Sequence, residues 1–173
     1  MQLGINPYLF FTDGKCREAM EHYARVLGGE VTMMMPYGGS PAEESAPPEW
    51  KDKILHATLT IGGQVIMGSD GHPGYHEKPQ GFSVSCQVRS AADAERVFAG
   101  LADGGKVGMP LAATFFSERF GMLTDRYGIA WMVNFPGSAD AHAAAGREMA
   151  GAASDTPQQK PAEKSKRAGT RKK

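Results

Sequence analysis

The sequence predicts an α+β fold of two βαβββ modules whose curved mixed sheets form a cleft, and three observations lead there. One supersecondary unit occurs twice. Glu18-Ala19 through Tyr23-Ala24 runs into Gly28-Gly29-Glu30-Val31, and Asp93-Ala94 through Phe98-Ala99 runs into Gly104-Gly105-Lys106-Val107. Ala19 and Ala94, like Tyr23 and Phe98, are 75 residues apart, and the Gly-Gly pairs are 76 apart. Each copy sets a helix-period stripe between segments of strand composition. One helix with a few strands buries too little apolar area to stand alone, so the copies share a core.

The elements follow in order. Ile5 to Phe11 reads as a strand, with Pro7 placing it at a sheet edge or strand start. Thr12-Asp13-Gly14 is a turn with an Asx-type cap for the following helix. Cys16, Met20, Tyr23, Ala24 and Leu27 form the stripe of that helix, and Gly28-Gly29 ends it. Glu30 to Met35 is a strand, and Gly38 to Trp50 is a long loop absent from the second copy, placed to shape a pocket entrance. Ile54 to Ile61 alternates, with Leu55, Ala57, Leu59 and Ile61 on one face and His56, Thr58 and Thr60 on the other. Gly62-Gly63 turns into Gln64 to Ser69.

Asp70 to Gln80 links the copies. In the second copy, Phe82 to Val88 is a strand, and Ser90 caps a helix with Ala91, Ala94, Val97, Phe98 and Leu101 on its stripe. Lys106 to Met109, Ala113 to Phe116, Phe120 to Asp125 and Ile129 to Phe135 are the strand segments that complete it. The expected organisation is one domain over 1–137, with modules at about 4–70 and 81–136. An Ala-rich, then Lys/Arg-rich tail over 138–173 lacks periodicity and reads as disordered.

The chain has 19 basic and 19 acidic residues, but they are unevenly spread. The tail carries eight basic and four acidic residues, a net +4, so residues 1–137 carry 11 − 15 = −4. A mildly acidic body offers no broad basic face for nucleic acid. The tail is either a solvated extension or a weak, non-specific nucleic-acid contact. Two cysteines, Cys16 and Cys86, make no disulfide framework and no paired metal spacing, and both fall on core-facing positions. No run approaches a membrane span, and Met1-Gln2-Leu3-Gly4 has no secretory-leader pattern, so a cytoplasmic location is expected. No glycine-rich nucleotide-binding turn follows a strand, which argues against a methyltransferase.

Several segments together resemble one family. They are Asn6-Pro7-Tyr8-Leu9-Phe10-Phe11, the first helix through Gly28-Gly29-Glu30-Val31, His56-Ala57-Thr58-Leu59-Thr60-Ile61-Gly62-Gly63 and Met67-Gly68-Ser69-Asp70. Gly104 to Leu111 and Phe120 to Asn134 complete the set. The chain resembles the PhnB-like branch of the vicinal oxygen chelate superfamily, which includes glyoxalase I and bleomycin resistance proteins. PhnB-like proteins are often labelled demethylubiquinone methyltransferase-like. The resemblance implies the glyoxalase/bleomycin resistance/dioxygenase fold, usually as a homodimer, with a small-molecule cleft.

Metal-using relatives hold a divalent ion with His, Gln or Glu on the first and last strands of each module. Carried onto this chain, those positions are Asn6, Met67, Ser83 and Met132. Two thioethers and two neutral oxygens suit neither a hard nor a borderline divalent ion. The resemblance with this departure implies no metal and no other cofactor.

Period-2 alternation from those positions adds Tyr8, Ser69, Ser85, Gln87 and Asn134 to the expected lining, with Phe10 beside them. Such a lining suits a neutral or weakly polar organic ligand. His56 is the acid–base candidate within it, and a histidine merely satisfied by its neighbours is the plain alternative. Glu118, His72 and His76 read as solvated loop residues. Whether the protein sequesters its ligand, as bleomycin resistance relatives do, or acts on it through His56 stays open at this level.

Overall fold

The structure, a computed structural model, describes residues 4–71 and 79–137. The expected disorder of the tail and the readings of His72 and His76 lie outside these residues. Module one contains β1 (Tyr8–Phe11), α1 (Cys16–Leu27), β2 (Glu30–Pro36), β3 (Ile54–Ile61) and β4 (Gln64–Asp70). Module two contains β5 (Val84–Gln87), α2 (Ala91–Ala102), β6 (Lys106–Thr114), β7 (Ser117–Thr124) and β8 (Ala130–Phe135). The sheets have orders β1-β4-β3-β2 and β5-β8-β7-β6, each with one parallel pair, β1 with β4 and β5 with β8. Two mixed four-stranded sheets with two helices make the α+β fold that the repeat predicts.

Each sheet turns one face to its helix. Cys16, Ala19, Met20 and Tyr23 of α1 are fully buried and join Leu9, Phe11, Ala57 and Leu59 of the first sheet. Ala94, Val97 and Leu101 of α2 join Leu123, Trp131 and Val133 in the same continuous core. Cys86 packs against that core, as the alternation predicts. The helices cross closely where Gly100 sits, because a Cβ there would lie 2.9 Å from a Val26 methyl. His22 Nε2 meets the Gly100 carbonyl at 3.1 Å, and Arg96 donates to the Val26 carbonyl at 2.7 Å. The modules are thus joined through their helices.

Two buried carboxyl groups complete the frame. Asp70, at the end of β4, accepts from the backbone N–H of Cys16 (2.9 Å) and of Ile54 (2.6 Å). Asp125, just after β7, accepts from Tyr23 Oη and Trp131 Nε1 and from the N–H groups of Tyr127 and Ile129. The Tyr23 bond crosses from module one to module two.

Several local expectations hold. Gly28 ends α1 at φ 70°, a left-handed conformation that suits glycine, and the following N–H returns to Ala24 O. Ser90 Oγ accepts from Asp93 N at 3.0 Å and caps α2. Others are corrected. Lys15 is the N-cap residue of α1 and has no side-chain cap bond, so Asp70 from a distant strand supplies the acceptor instead of Asp13. The first strand begins at Tyr8, after Pro7, which has no N–H for a ladder.

The expected segments Lys106–Met109 and Ala113–Phe116 are one strand ending at Thr114, and Phe115-Phe116 form the turn into β7. Pro110 is tolerated inside this strand because β6 lies at a sheet edge, with register shifts along it. Glu118 lies within β7, rather than in a hairpin turn. The long loop contains two 3₁₀ turns, Glu43–Ser45 and Pro48–Trp50, pinned by Trp50 against Tyr37.

Candidate functional site

The faces turned away from the helices carry the chemistry. On the first sheet the register aligns Tyr8, Met67, Thr58 and Met33 across four strands, with Phe10 opposite Ser69 and His56 opposite Met35. Tyr8 Oη lies 3.1 Å from His56 Nδ1, and Thr58 Oγ1 lies 3.2 Å from His56 Nε2. Either tautomer completes the chain. Nδ1–H donates to Tyr8 while Thr58 O–H donates to Nε2, or Tyr8 O–H donates to Nδ1 and Nε2–H donates to Thr58. The Tyr8 ring also sits 5.1 Å from that of Phe10 and 5.7 Å from that of His56.

On the second sheet, Ser85, Met132, Met122 and Met109 form one cross-strand row. Beside it runs a hydrogen-bonded chain of neutral groups. Ser117 Oγ contacts Asn134 Oδ1 (2.6 Å), Asn134 Nδ2 donates to Gln87 Oε1 (2.7 Å), and Gln87 Nε2 donates to Ser85 Oγ (3.0 Å). Ser117 is buried and Asn134 half-buried, while Gln87 and Ser85 are exposed. The amides therefore run from a buried anchor out to a presented hydroxyl.

The sequence-derived residues fall into two groups. Tyr8, His56 and Met67 meet on the first sheet, where Ser69 pairs with Phe10 but is itself buried. Ser85, Gln87, Met132 and Asn134 meet on the second. Asn6 precedes β1 and is exposed, and Ser83 precedes β5 and is half-buried. Among the described residues, no hydrogen bond or ring contact joins one group to the other.

Residues at the junction of the modules add a feature that alternation does not reveal. A cavity of about 330 Å³ is lined by Tyr8, Leu9, Phe10, Pro79, Gln80, Phe82 and Ile129. Four of these lie on the inter-module connection or a turn, where no periodicity marks a lining residue. An aromatic residue, Phe82, directly after Gly81 is the signal the sequence held.

The four positions that the resemblance marks for a divalent ion fit one poorly. Met67 and Met132 offer thioethers from β4 and β8, and Asn6 and Ser83 offer neutral oxygens from outside the strands. Among the described residues, no group of three or more His, Cys, Asp or Glu is placed to hold a metal. No step is therefore routed through a metal.

The thiols are structural. Burial, reinforced by the nearby Asp70 charge, pushes Cys16 from an ordinary 9.0 up to about 12, and burial raises Cys86 too. Because folding favours the neutral Cys16 thiol, its contribution to stability is complete below about pH 9 and is lost as pH rises towards 12. Tyr127, also raised to about 12 by burial and by Glu18, adds to the same alkaline weakness. Urea denaturation across this window is expected to show the midpoint falling steadily, with Cys16 resisting alkylation until the protein unfolds. A flat midpoint or rapid native-state alkylation would contradict this account.

Comparison with known proteins agrees with this architecture. The profile of the family described as 3-demethylubiquinone-9 3-methyltransferase matches residues 4–134. Protein YjdN of Escherichia coli K12 is 34% identical over 138 residues, covering 75% of this chain and 93% of YjdN. The crystal structure of PA1353 from Pseudomonas aeruginosa shares 51% identity at a TM-score of 0.71, covering 78% of this chain and 98% of that one. A Bacillus cereus structure, described as a putative 3-demethylubiquinone-9 3-methyltransferase, PhnB protein, shares 29% identity at a TM-score of 0.65, covering 77% and 99%. With the duplicated βαβββ modules, these likenesses identify the chain as a member of the 3-demethylubiquinone-9 3-methyltransferase family, the PhnB-like branch of the vicinal oxygen chelate superfamily.

Proposed function

We propose that this protein binds a small, neutral or weakly polar organic molecule without a catalytic divalent metal or other cofactor. The supporting observation is the donor set. By the resemblance, thioethers and neutral oxygens take the positions where the superfamily's metal users have His, Gln or Glu, and beside them runs an ordered chain of neutral donors and acceptors ending at Ser85. Asn6, Tyr8, Met67, Ser69, Ser83, Ser85, Gln87, Met132 and Asn134 make up the proposed lining. A thermal-shift screen of the full chain, paired with elemental analysis of untreated protein, tests the proposal. The expected result is stabilisation by one ligand class, lost in a folded Asn134→Ala variant, and no stoichiometric zinc, nickel or iron. Stoichiometric metal held by protein side chains would overturn it.

The proposed assembly is a homodimer in which a second copy helps to close the cleft. Met33 and Met35 on the first sheet and Met109 on the second expose apolar surface that a partner would cover. Sedimentation should then show a dimer that dissociates when Met33 and Met35 are both changed to charged residues. Among the described residues, no helix is long and apolar enough to cross a membrane. We place the protein in the cytoplasm, with any nucleic-acid contact confined to its basic tail.

The Tyr8–His56–Thr58 chain favours a second reading, a metal-independent isomerase or lyase with His56 as acid–base group. On a turned-over substrate, His56→Ala should then lower kcat by about 10²–10⁴. Full turnover by that variant would remove this reading.

A further inference from the structure

We infer that the cavity at the module junction is a binding site for a small planar aromatic molecule bearing a hydroxyl group. It goes beyond the binding reading above by assigning a ligand class to a second place, apart from the amide chain of the second sheet. The cavity, about 330 Å³, lies at the lower end of the range for small-molecule sites, room for one or two rings. Its lining is apolar apart from Tyr8 and Gln80 and carries no charged side chain. Phe10 and Phe82 are each 52% exposed, leaving aromatic surface for a ring to cover, and Tyr8 forms a tilted aromatic corner with Phe10.

The hydroxyl follows from hydrogen-bond accounting. Tyr8 Oη is a donor and acceptor, and its contact with His56 Nδ1 uses one of these capacities. If Thr58 donates to Nε2 and Nδ1–H donates to Tyr8, the phenol hydrogen is free for a ligand acceptor. In the opposite order the phenol hydrogen goes to His56, and Tyr8 offers a lone pair to a ligand donor. A ligand hydroxyl is served by both orders, whereas a ketone or ether is served by the first alone. The pair Tyr8–His56 thus selects a hydroxyl over a bare ring, and Phe82 and Phe10 supply the sequence-independent stacking surface.

The test uses para-cresol and toluene, which differ only by the hydroxyl, with the full-length chain and ligand-observed NMR titration. Para-cresol is expected to bind roughly tenfold more tightly than toluene, the worth of one further hydrogen bond to the capacity that Tyr8 Oη keeps beside its bond to His56. Phe82→Ala should weaken both severalfold. Tyr8→Phe should abolish the preference while leaving toluene binding unchanged, and Glu21→Ala, on the exposed face of α1, should leave both as in the wild type. Circular dichroism checks that each variant is folded, and Phe82, being 52% exposed, should tolerate truncation.

Equal affinity for the two probes, no binding of either, or indifference to Phe82→Ala would overturn this inference. A ligand from the thermal-shift screen that still depended on Asn134 would then leave the broader binding reading standing.

Discussion

Replacing Asp125 by Ala is expected to destabilise the protein by about 3–5 kcal/mol, the cost of stranding the partners of a buried, fully hydrogen-bonded carboxylate. Four donors converge on this side chain: Tyr23 Oη, Trp131 Nε1 and the N–H groups of Tyr127 and Ile129. Water cannot replace it readily, since Asp125, Tyr23, Ile129 and Trp131 are each at most 5% exposed. For a folded region of this size the midpoint of thermal unfolding should fall by roughly 10–20 °C. Asp125→Asn should cost less. Its carbonyl still serves the two backbone donors, but its NH₂ faces the indole N–H, which cannot become an acceptor. Tyr23→Phe should cost least, because it removes one donor and leaves three. Calorimetry with Trp131 fluorescence ranks the three variants, and equal stability of Asp125→Ala and wild type would contradict this account.

Asp70→Ala is expected to be the second most damaging single change, at about 2–4 kcal/mol, because it leaves two buried backbone N–H groups without their acceptor. One begins α1 and the other begins β3, so the helix and the central hairpin would both loosen at their starts. The same charge contributes to the raised pKa of Cys16, after burial. Asp70→Asn keeps much of the shape but removes the charge, so Cys16 in that variant should ionise at lower pH. The ultraviolet absorbance of the thiolate against pH, differenced against a Cys16→Ala variant, reads this directly. An unchanged profile would mean that burial alone controls the thiol.

What the sequence conveyed divides by distance along the chain. The stop at Gly28 and the cap at Ser90 are legible because their partners lie within a few residues, and local chemistry decides both. The polar face of β3 is legible because alternation over eight residues leaves one assignment that buries Ala57 and Leu59. Asp70 and Asp125 gave no such sign, since their donors lie as far as 54 and 102 residues away. For the same reason His56 and Tyr8 are each visible as candidate lining residues, while their pairing across 48 residues is not. The junction cavity was the least legible feature. Pro79, Gln80 and Phe82 lie on a connection whose composition says only that it turns.

The single strand assembled from Lys106 to Thr114 shows how a local rule misleads. Pro110 reads as a break, yet an edge strand needs hydrogen bonds on one side only, and register shifts absorb the missing N–H. The glycine at position 100 shows the opposite case. It weakens a helix interior by about 1 kcal/mol relative to alanine, but the stiff Val26 side chain of the crossing helix leaves no room for a methyl there.

The outermost strands have a consequence for self-association. β2 ends in Pro36 and β6 contains Pro110, and both are interrupted in register, so neither offers an unbroken ladder to a stray extended chain. The opposite margins, β1 and β5, are only four residues long. A molecule built this way guards against runaway fibre growth along two borders through missing donors and along the other two through brevity. High-concentration stocks should therefore stay free of cross-β material for as long as the native state persists.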